Sequence, residues 1–156
     1  MDWSEIVDNP YLQDLPFKIE QDRYGNIVMS PASYRHGFYQ SEIAALLRGL
    51  RGGRVVVECS VQTAEGVKVP DVVWHSAEFL AEHGEPTPLP VAPEICVEVL
   101  SPSNAPAEID EKRSFYFAAG AKEVWVCDAD GRMAFYNASG EIHASALAPD
   151  FPAQIA

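Results

Sequence analysis

Cysteine is scarce in this chain, basic residues are few, and long apolar runs are missing. Among 156 residues there are three cysteines, Cys59, Cys96 and Cys127. They are odd in number, widely separated and each set in a strand-like run. A disulfide framework is therefore excluded, as is any zinc or redox spacing. Buried free thiols in a reducing compartment are the expectation. No stretch approaches the ~18 consecutive apolar residues of a membrane-spanning helix. The N-terminus, MDWSEIVDNP, lacks the basic-then-apolar pattern of a signal peptide, so a cytoplasmic location without membrane partners is expected. Internal repeats and low-complexity tracts are also missing. Lys and Arg number 11 against 23 Asp and Glu, a formal net charge of -12. That balance argues against nonspecific nucleic-acid binding, which needs a positive stripe to displace counterions. It is compatible with a divalent cation, which carboxylates attract.

The composition that is present, 47% hydrophobic and 22% charged, is that of a globular protein able to bury a core without disulfides. Residues 1–156 read as one domain, with 1–16 as a lead-in broken by Pro10 and Pro16. FKIEQDRYGNIVMSP predicts a β-hairpin turning at Tyr24-Gly25-Asn26. From Ser33 to Leu50 the pattern is helical, with Ile43, Leu46, Leu47 and Leu50 on one face, extended backwards by Tyr39 and His36. Gly52-Gly53 stops that helix. RVVVECSVQT predicts one strand and EGVKVPDVVWH another. Residues 76–92 read as a loop with a short helical turn at 77–83. Glu94 to Leu100 predicts a strand, and Ser101-Pro102-Ser103-Asn104 offers caps for a helix from about Pro106 to Ala119. KEVWVCDAD and RMAFYNASG close the order as a strand and a returning hairpin. This order predicts an α/β (α+β) domain: a mixed central sheet flanked by helices, with an N-terminal β-hairpin.

Three residues are chemically out of place. Asp71 heads the apolar run Val72-Val73-Trp74. Glu98 sits inside the apolar strand Ile95–Leu100, where an ionised carboxylate is costly unless paired. Lys112 shares a helical face with Phe115, Tyr116 and Ala119, while Glu111 and Arg113 fall towards solvent. The short strand-to-helix connection should pack that face back over Glu98, making Lys112 its neighbour. By strand parity Cys96, Glu98 and Leu100 point to one side, so a lysine arriving from the helix could fill the space beside Glu98. Taken singly, Asp71 is a turn residue and Glu98–Lys112 a structural ion pair. Together, two carboxylates on adjacent strands with one lysine are what a hydrolytic metal site requires. The carboxylates would hold Mg²⁺ or Mn²⁺, and the lysine would orient or help deprotonate the attacking water.

At these residues the chain resembles the Uma2 family of endonucleases, within the PD-(D/E)XK nuclease superfamily. The matching pieces are IVMSPASYRHG, VPDVVW, EVLSPSN, DEKRSFYFAAGAKEVWVCD and LAPDFP, in the family's order over roughly residues 17–152. EVLSPS combined with K-x3-Y-x3-G-x2-E-x-W-x2-D, from Lys112 to Asp128, is the most specific part. The resemblance implies a restriction-endonuclease-like core, Asp71 and Glu98 as metal ligands, and Lys112 as the motif lysine moved from strand to helix. Leu100 stands where that superfamily usually has the lysine. The implied activity is Mg²⁺- or Mn²⁺-dependent hydrolysis of DNA phosphodiesters, with a homodimer as one way to cut two strands. The alternative is a catalytically silent nuclease-fold binding or regulatory protein, which the charge of -12 favours.

Other candidates stand a tier lower. His36 matches the family's histidine, although a lone His on an apolar face is more often a core residue. Gln62 lies in a strand expected to pair beside that of Asp71, where it would line the same cleft. Tyr116 reads as packing with its hydroxyl within reach of the site. Trp74 and Trp125 read as core, and Asp128 as a turn residue. Arg48, Arg51 and Arg54 form the nearest thing to a basic patch, and their place at the cleft mouth would favour the nuclease.

Overall fold

The computed structural model describes residues 1–155 except Arg51 and Ser103, and of Leu50 only the backbone. Leu50 on the first helix's apolar face, Arg51 in the basic patch and Ser103 as a cap thus lie outside the described side chains. The elements in order are α1 (Trp3–Asp8), β1 (Phe17–Gln21), β2 (Ile27–Pro31), α2 (Tyr34–Leu50), β3 (Arg54–Val57), β4 (Val61–Thr63), β5 (Gly66–Lys68) and β6 (Val72–His75). They continue with α3 (Ala77–His83), β7 (Ile95–Val99), α4 (Pro106–Ala118), β8 (Glu123–Cys127), β9 (Met133–Asn137) and β10 (Gly140–Ile142).

Six strands form the central sheet in the order β10-β9-β8-β7-β6-β3. Only β7 and β8 pair in parallel; the other neighbours are antiparallel. The parallel pair requires a crossover, and α4 supplies it. Alternation along the strands then sorts the core into two faces. Val72, Trp74, Ile95, Val97, Val99, Trp125 and Cys127 pack with Tyr39, Ile43, Ala44 and Leu47 of α2. Val73, Cys96 and Val124 face the other way, onto Tyr116 of α4. The tail also enters the core, with Ala148, Phe151 and Ile155 packed on the α2 side. Trp74 and Trp125 are core residues, as expected. The N-terminal hairpin β1–β2 is a separate two-stranded sheet, with Phe17 opposite Pro31 and Gln21 opposite Ile27.

Three local expectations are corrected. The run EGVKVPDVVWH is divided between β5 and β6, which belong to separate sheets. The run RVVVECSVQT is not one strand. Glu58 takes a left-handed backbone conformation, φ 51°, and its N–H donates to the Asp71 carbonyl. The chain leaves the central sheet there, and β4 pairs with β5 as a small ribbon of its own. The start of α4 differs as well. Asn104 Oδ1 accepts from the N–H and Oγ of Ser101, closing a turn. Ala105, with no capping side chain, precedes Pro106 at the first helical position.

The thiols are free, and burial pushes Cys59 up to about 11 and Cys127 up to about 12. Among the described residues no helix is long and apolar enough to cross a membrane.

Candidate active site

Register brings the first two carboxylates together. In the antiparallel pair β6–β7, Val72 lies opposite Val97 and Val73 opposite Cys96. The same register sets Asp71, one residue before β6, across from Glu98. The Asp71 N–H donates to the Val97 carbonyl at 2.9 Å, and Asp71 Oδ2 accepts the Val99 N–H at 2.7 Å. The carboxylate is thereby fixed against the backbone of the neighbouring strand. Both residues are buried, Asp71 completely and Glu98 to 3% exposure.

Helix α4 supplies the next pair. Ile109, Lys112 and Tyr116 form its buried stripe, at the three- and four-residue spacing of one helical face. Tyr116 donates its hydroxyl to Glu98 Oε1 at 2.6 Å. Lys112 Nζ lies 3.5 Å from the same oxygen, so the expected Glu98–Lys112 neighbourhood is present. Lys112 nevertheless makes its shorter bonds elsewhere, to Glu20 Oε1 and Oε2 at 2.9 and 3.1 Å. Arg113 does not simply point to solvent: its guanidinium lies 3.8 Å from the centre of the Tyr136 ring. Leu100 lines a separate surface pocket with Pro106, Ile109 and Tyr136.

Glu20 and Lys18 are the residues that sequence inspection missed. Both lie on one face of β1, two residues apart. Lys18 Nζ bonds Asp71 Oδ1 at 3.1 Å and lies 3.5 Å from Glu98 Oε2. The two side chains also clasp the backbone of Val69: Lys18 donates to its carbonyl at 3.0 Å, and Glu20 Oε2 accepts its N–H at 2.7 Å. Lys18-x-Glu20, opposite charges two residues apart on one face of the hairpin strand, was the available signal.

His36 joins from the first turn of α2. Its N–H donates to Ser33 Oγ, and its Nε2 lies 3.3 Å from Asp71 Oδ1. Gln62 does not join. It sits exposed on the β4–β5 ribbon, opposite Val67, with its amide donating to the Thr63 carbonyl. The break at Glu58 removes its strand from the pairing that would have placed it beside Asp71.

Three carboxylates against two ammonium groups leave one negative charge, which His36 cancels when protonated. Burial alone would raise Asp71, but His36, Lys18 and the Val99 N–H hold it down at about 2. Glu98 goes the other way: burial raises it, Lys112 and Lys18 offset this in part, and Asp71 and Glu20 add to the rise. Burial also opposes ionisation of Glu20, yet Lys112 and Lys18 bring it below the usual carboxylate range. Adjacent carboxylates held apart in this way can divide acid and base roles. The hydrogen bond to Asp71 raises His36 against the effect of burial.

The cluster opens onto a cavity of about 170 Å³, whose walls include Lys18, His36, Glu58, Glu98, Glu108 and Lys112. Among the described residues no arginine lines it. Arg54 is ion-paired with Glu85 on a different pocket, and Arg48 is exposed on α2. Among the described residues no three or more His, Cys, Asp or Glu converge as a ready-made metal cage. Two carboxylate oxygens do converge, Asp71 Oδ1 and Glu98 Oε2, and the Lys18 ammonium is the cation between them. Two hard oxygen donors facing one cation position suit Mg²⁺ or Mn²⁺, which keep several waters and need only one or two carboxylates.

Comparison with known proteins identifies the family and the fold. The model of the Uma2 family, described as "Putative restriction endonuclease", matches residues 11–141. The chain belongs to the Uma2 family. The match spans β1, which carries Lys18 and Glu20, and continues through α4 to β10. A crystal structure of "a putative nuclease belonging to DUF820" from Anabaena variabilis superposes with a TM-score of 0.72 at 19% identity, covering 87% of this chain and 86% of that one. At that identity the likeness shows a shared fold, and the mixed sheet with flanking helices is that fold. No curated protein matches the chain.

Proposed function

We propose that this Uma2 protein is a metal-dependent endonuclease that hydrolyses DNA phosphodiesters at the Asp71–Glu98 cluster. The observation that carries the reading is the convergence of Asp71 Oδ1 and Glu98 Oε2 on a single cation position beside a cavity that Lys18, His36, Glu98 and Lys112 line. Asp71 and Glu98 would hold Mg²⁺ or Mn²⁺. When bound there, such an ion polarises a phosphoryl oxygen and acidifies its water.

The chain's own residues do the rest. Asp71, kept ionised by His36 and the Val99 N–H, supplies fixed negative charge. Glu98, raised by burial and braced by the Tyr116 hydroxyl, is the carboxylate better able to take up a proton. Lys112 is held in place by Glu20 and faces the same cavity, where its charge can steady a developing anion. On this reading the protein acts in the cytoplasm, and two copies serve the two strands of a duplex.

One observation favours the second reading, a catalytically silent nuclease-fold binding or regulatory protein. Among the described residues the cavity has no arginine on its walls, and its lysines are already paired with carboxylates. Cleavage of plasmid and single-stranded DNA with Mn²⁺ or Mg²⁺ separates the two. Wild type should cut, and Glu98→Gln or Asp71→Asn should lose about 100-fold or more, the scale of removing one electrostatic group from a catalytic site. Both variants should retain the wild-type circular dichroism spectrum. Equal cleavage by folded variants, or none by wild type, would overturn the endonuclease and leave the binding protein.

A further inference from the structure

Lys18 is hard to explain as an ordinary structural lysine. Its ammonium is the group that bridges the two carboxylates assigned to the metal, 3.1 Å from one and 3.5 Å from the other. It arrives from the N-terminal hairpin, a sheet separate from the one that carries those carboxylates. Its side chain keeps 15% of its surface exposed, so it has a route outward.

That route leads towards a second acceptor. Lys18 lines two cavities, the active-site cavity and a neighbouring one beneath α1, and Glu58 lines both. The Glu58 carboxylate is exposed, and no ion pair or hydrogen bond of it is found among the described residues. Its backbone is held in a left-handed conformation that a non-glycine residue adopts only under constraint. The Asp71 carbonyl provides that constraint by accepting the Glu58 N–H at 3.1 Å. An unpaired carboxylate is thus anchored to the same residue that Lys18 neutralises. Val69, whose carbonyl accepts from Lys18, lines the neighbouring cavity too. Lys18, Val69 and Glu58 thus share the wall of one cavity beside the cluster.

We propose that Lys18 is a built-in occupant of the divalent-cation position, displaced when metal binds, and that Glu58 receives its ammonium in the loaded state. This rests on Asp71 and Glu98 being the metal ligands. The metal-free cluster is then stable without its ion, and metal affinity is set by competition with a tethered ammonium. A ligand that binds only the state with Lys18 turned out has its apparent affinity reduced by the fraction of that state.

The test is Mn²⁺ binding by calorimetry on the full chain, with wild type, Lys18→Met, Glu58→Gln, the double variant and Asp71→Asn. Lys18→Met should bind Mn²⁺ about tenfold or more tightly than wild type. Glu58→Gln should bind several-fold more weakly than wild type, yet change nothing when Lys18 is already Met. Asp71→Asn should abolish binding. A second measurement needs no variant. Amine labelling followed by mass spectrometry should show Lys18 protected in metal-free wild type and labelled faster with Mn²⁺, while Lys112 stays protected. Equal affinities for wild type and Lys18→Met, both lost in Asp71→Asn, would overturn the Lys18 proposal while keeping the metal site. Unchanged labelling of Lys18 under saturating Mn²⁺ would overturn it as well. Absence of Mn²⁺ binding in every folded protein would overturn both the proposal and the metal site beneath it.

Discussion

A single buried carboxylate forces most of the chemistry at the level of the residue. Glu20 is 4% exposed and survives because Lys112 bonds both its oxygens. Removing one member of a buried pair leaves an uncompensated charge, which costs far more than the pair itself contributes. Lys112→Met should therefore lower stability by about 3 kcal/mol in urea unfolding, within the range for broken buried pairs. The double variant Lys112→Met/Glu20→Gln should recover at least half of that. Additive losses in the double variant would show that the two side chains do not act as a unit.

His36 offers a second residue-level check. Its folded pKa is raised by Asp71, so the protonated ring stabilises the native state. That contribution is complete below the unfolded value of about 6.5 and disappears as pH rises through the folded one. The melting-temperature difference between wild type and His36→Gln should be largest near pH 6 and shrink towards pH 9. A difference that grows with pH would contradict the pairing.

At the level of elements, the site depends on three pieces meeting: the β6–β7 register, the stripe of α4 and the hairpin strand β1. The first two were legible in the sequence because each carries a periodic signal. Asp71 stands at the head of one apolar strand, Glu98 interrupts another, and Lys112 interrupts an apolar helical face. The hairpin's part was not, since Lys18 and Glu20 look like ordinary alternating polar residues of an edge strand. Only tertiary packing shows that their face is turned inward onto Val69 and Asp71. Gln62 misled for the opposite reason. Its run looks like one continuous strand, and nothing local announces that Glu58 will adopt a positive φ.

The hairpin is seated by Gly66, at φ 93°, where an added Cβ would fall 2.2 Å from the Gln21 carbonyl oxygen. Gly66→Ala should cost about 2 kcal/mol through strain and displacement of β1, a fall of about 4–8 °C in Tm for a chain of this size. Gly49→Ala on α2, where a Cβ meets nothing within 4 Å, should be neutral or stabilising. Equal effects of the two substitutions would show that β1 does not depend on the close approach at Gly66.

At the level of the whole molecule, the site and the surface pull in different directions. The cluster nearly balances its own charges, while the chain carries -12. A duplex approaching the cavity meets repulsion at long range and finds few free cations at short range. Each phosphate neutralised by a protein cation contributes a slope of about -0.9 to the dependence of log affinity on log salt for B-DNA. The cavity walls offer Lys18 and Lys112, both engaged with carboxylates, and a half-buried His36. Metal-free DNA binding should therefore be weak, with a slope no steeper than about -2 between 20 and 200 mM monovalent salt. Mn²⁺ should strengthen it, because a divalent ion turns the local balance positive while leaving the rest of the surface acidic. Fluorescence anisotropy with a labelled duplex and with a single strand of the same length measures both quantities. A steep slope without metal would point to a basic surface elsewhere on the chain and would detach DNA binding from the Asp71–Glu98 cavity. A shallow slope with binding that appears only alongside Mn²⁺, and that Asp71→Asn removes, would tie the nucleic acid to the cluster itself.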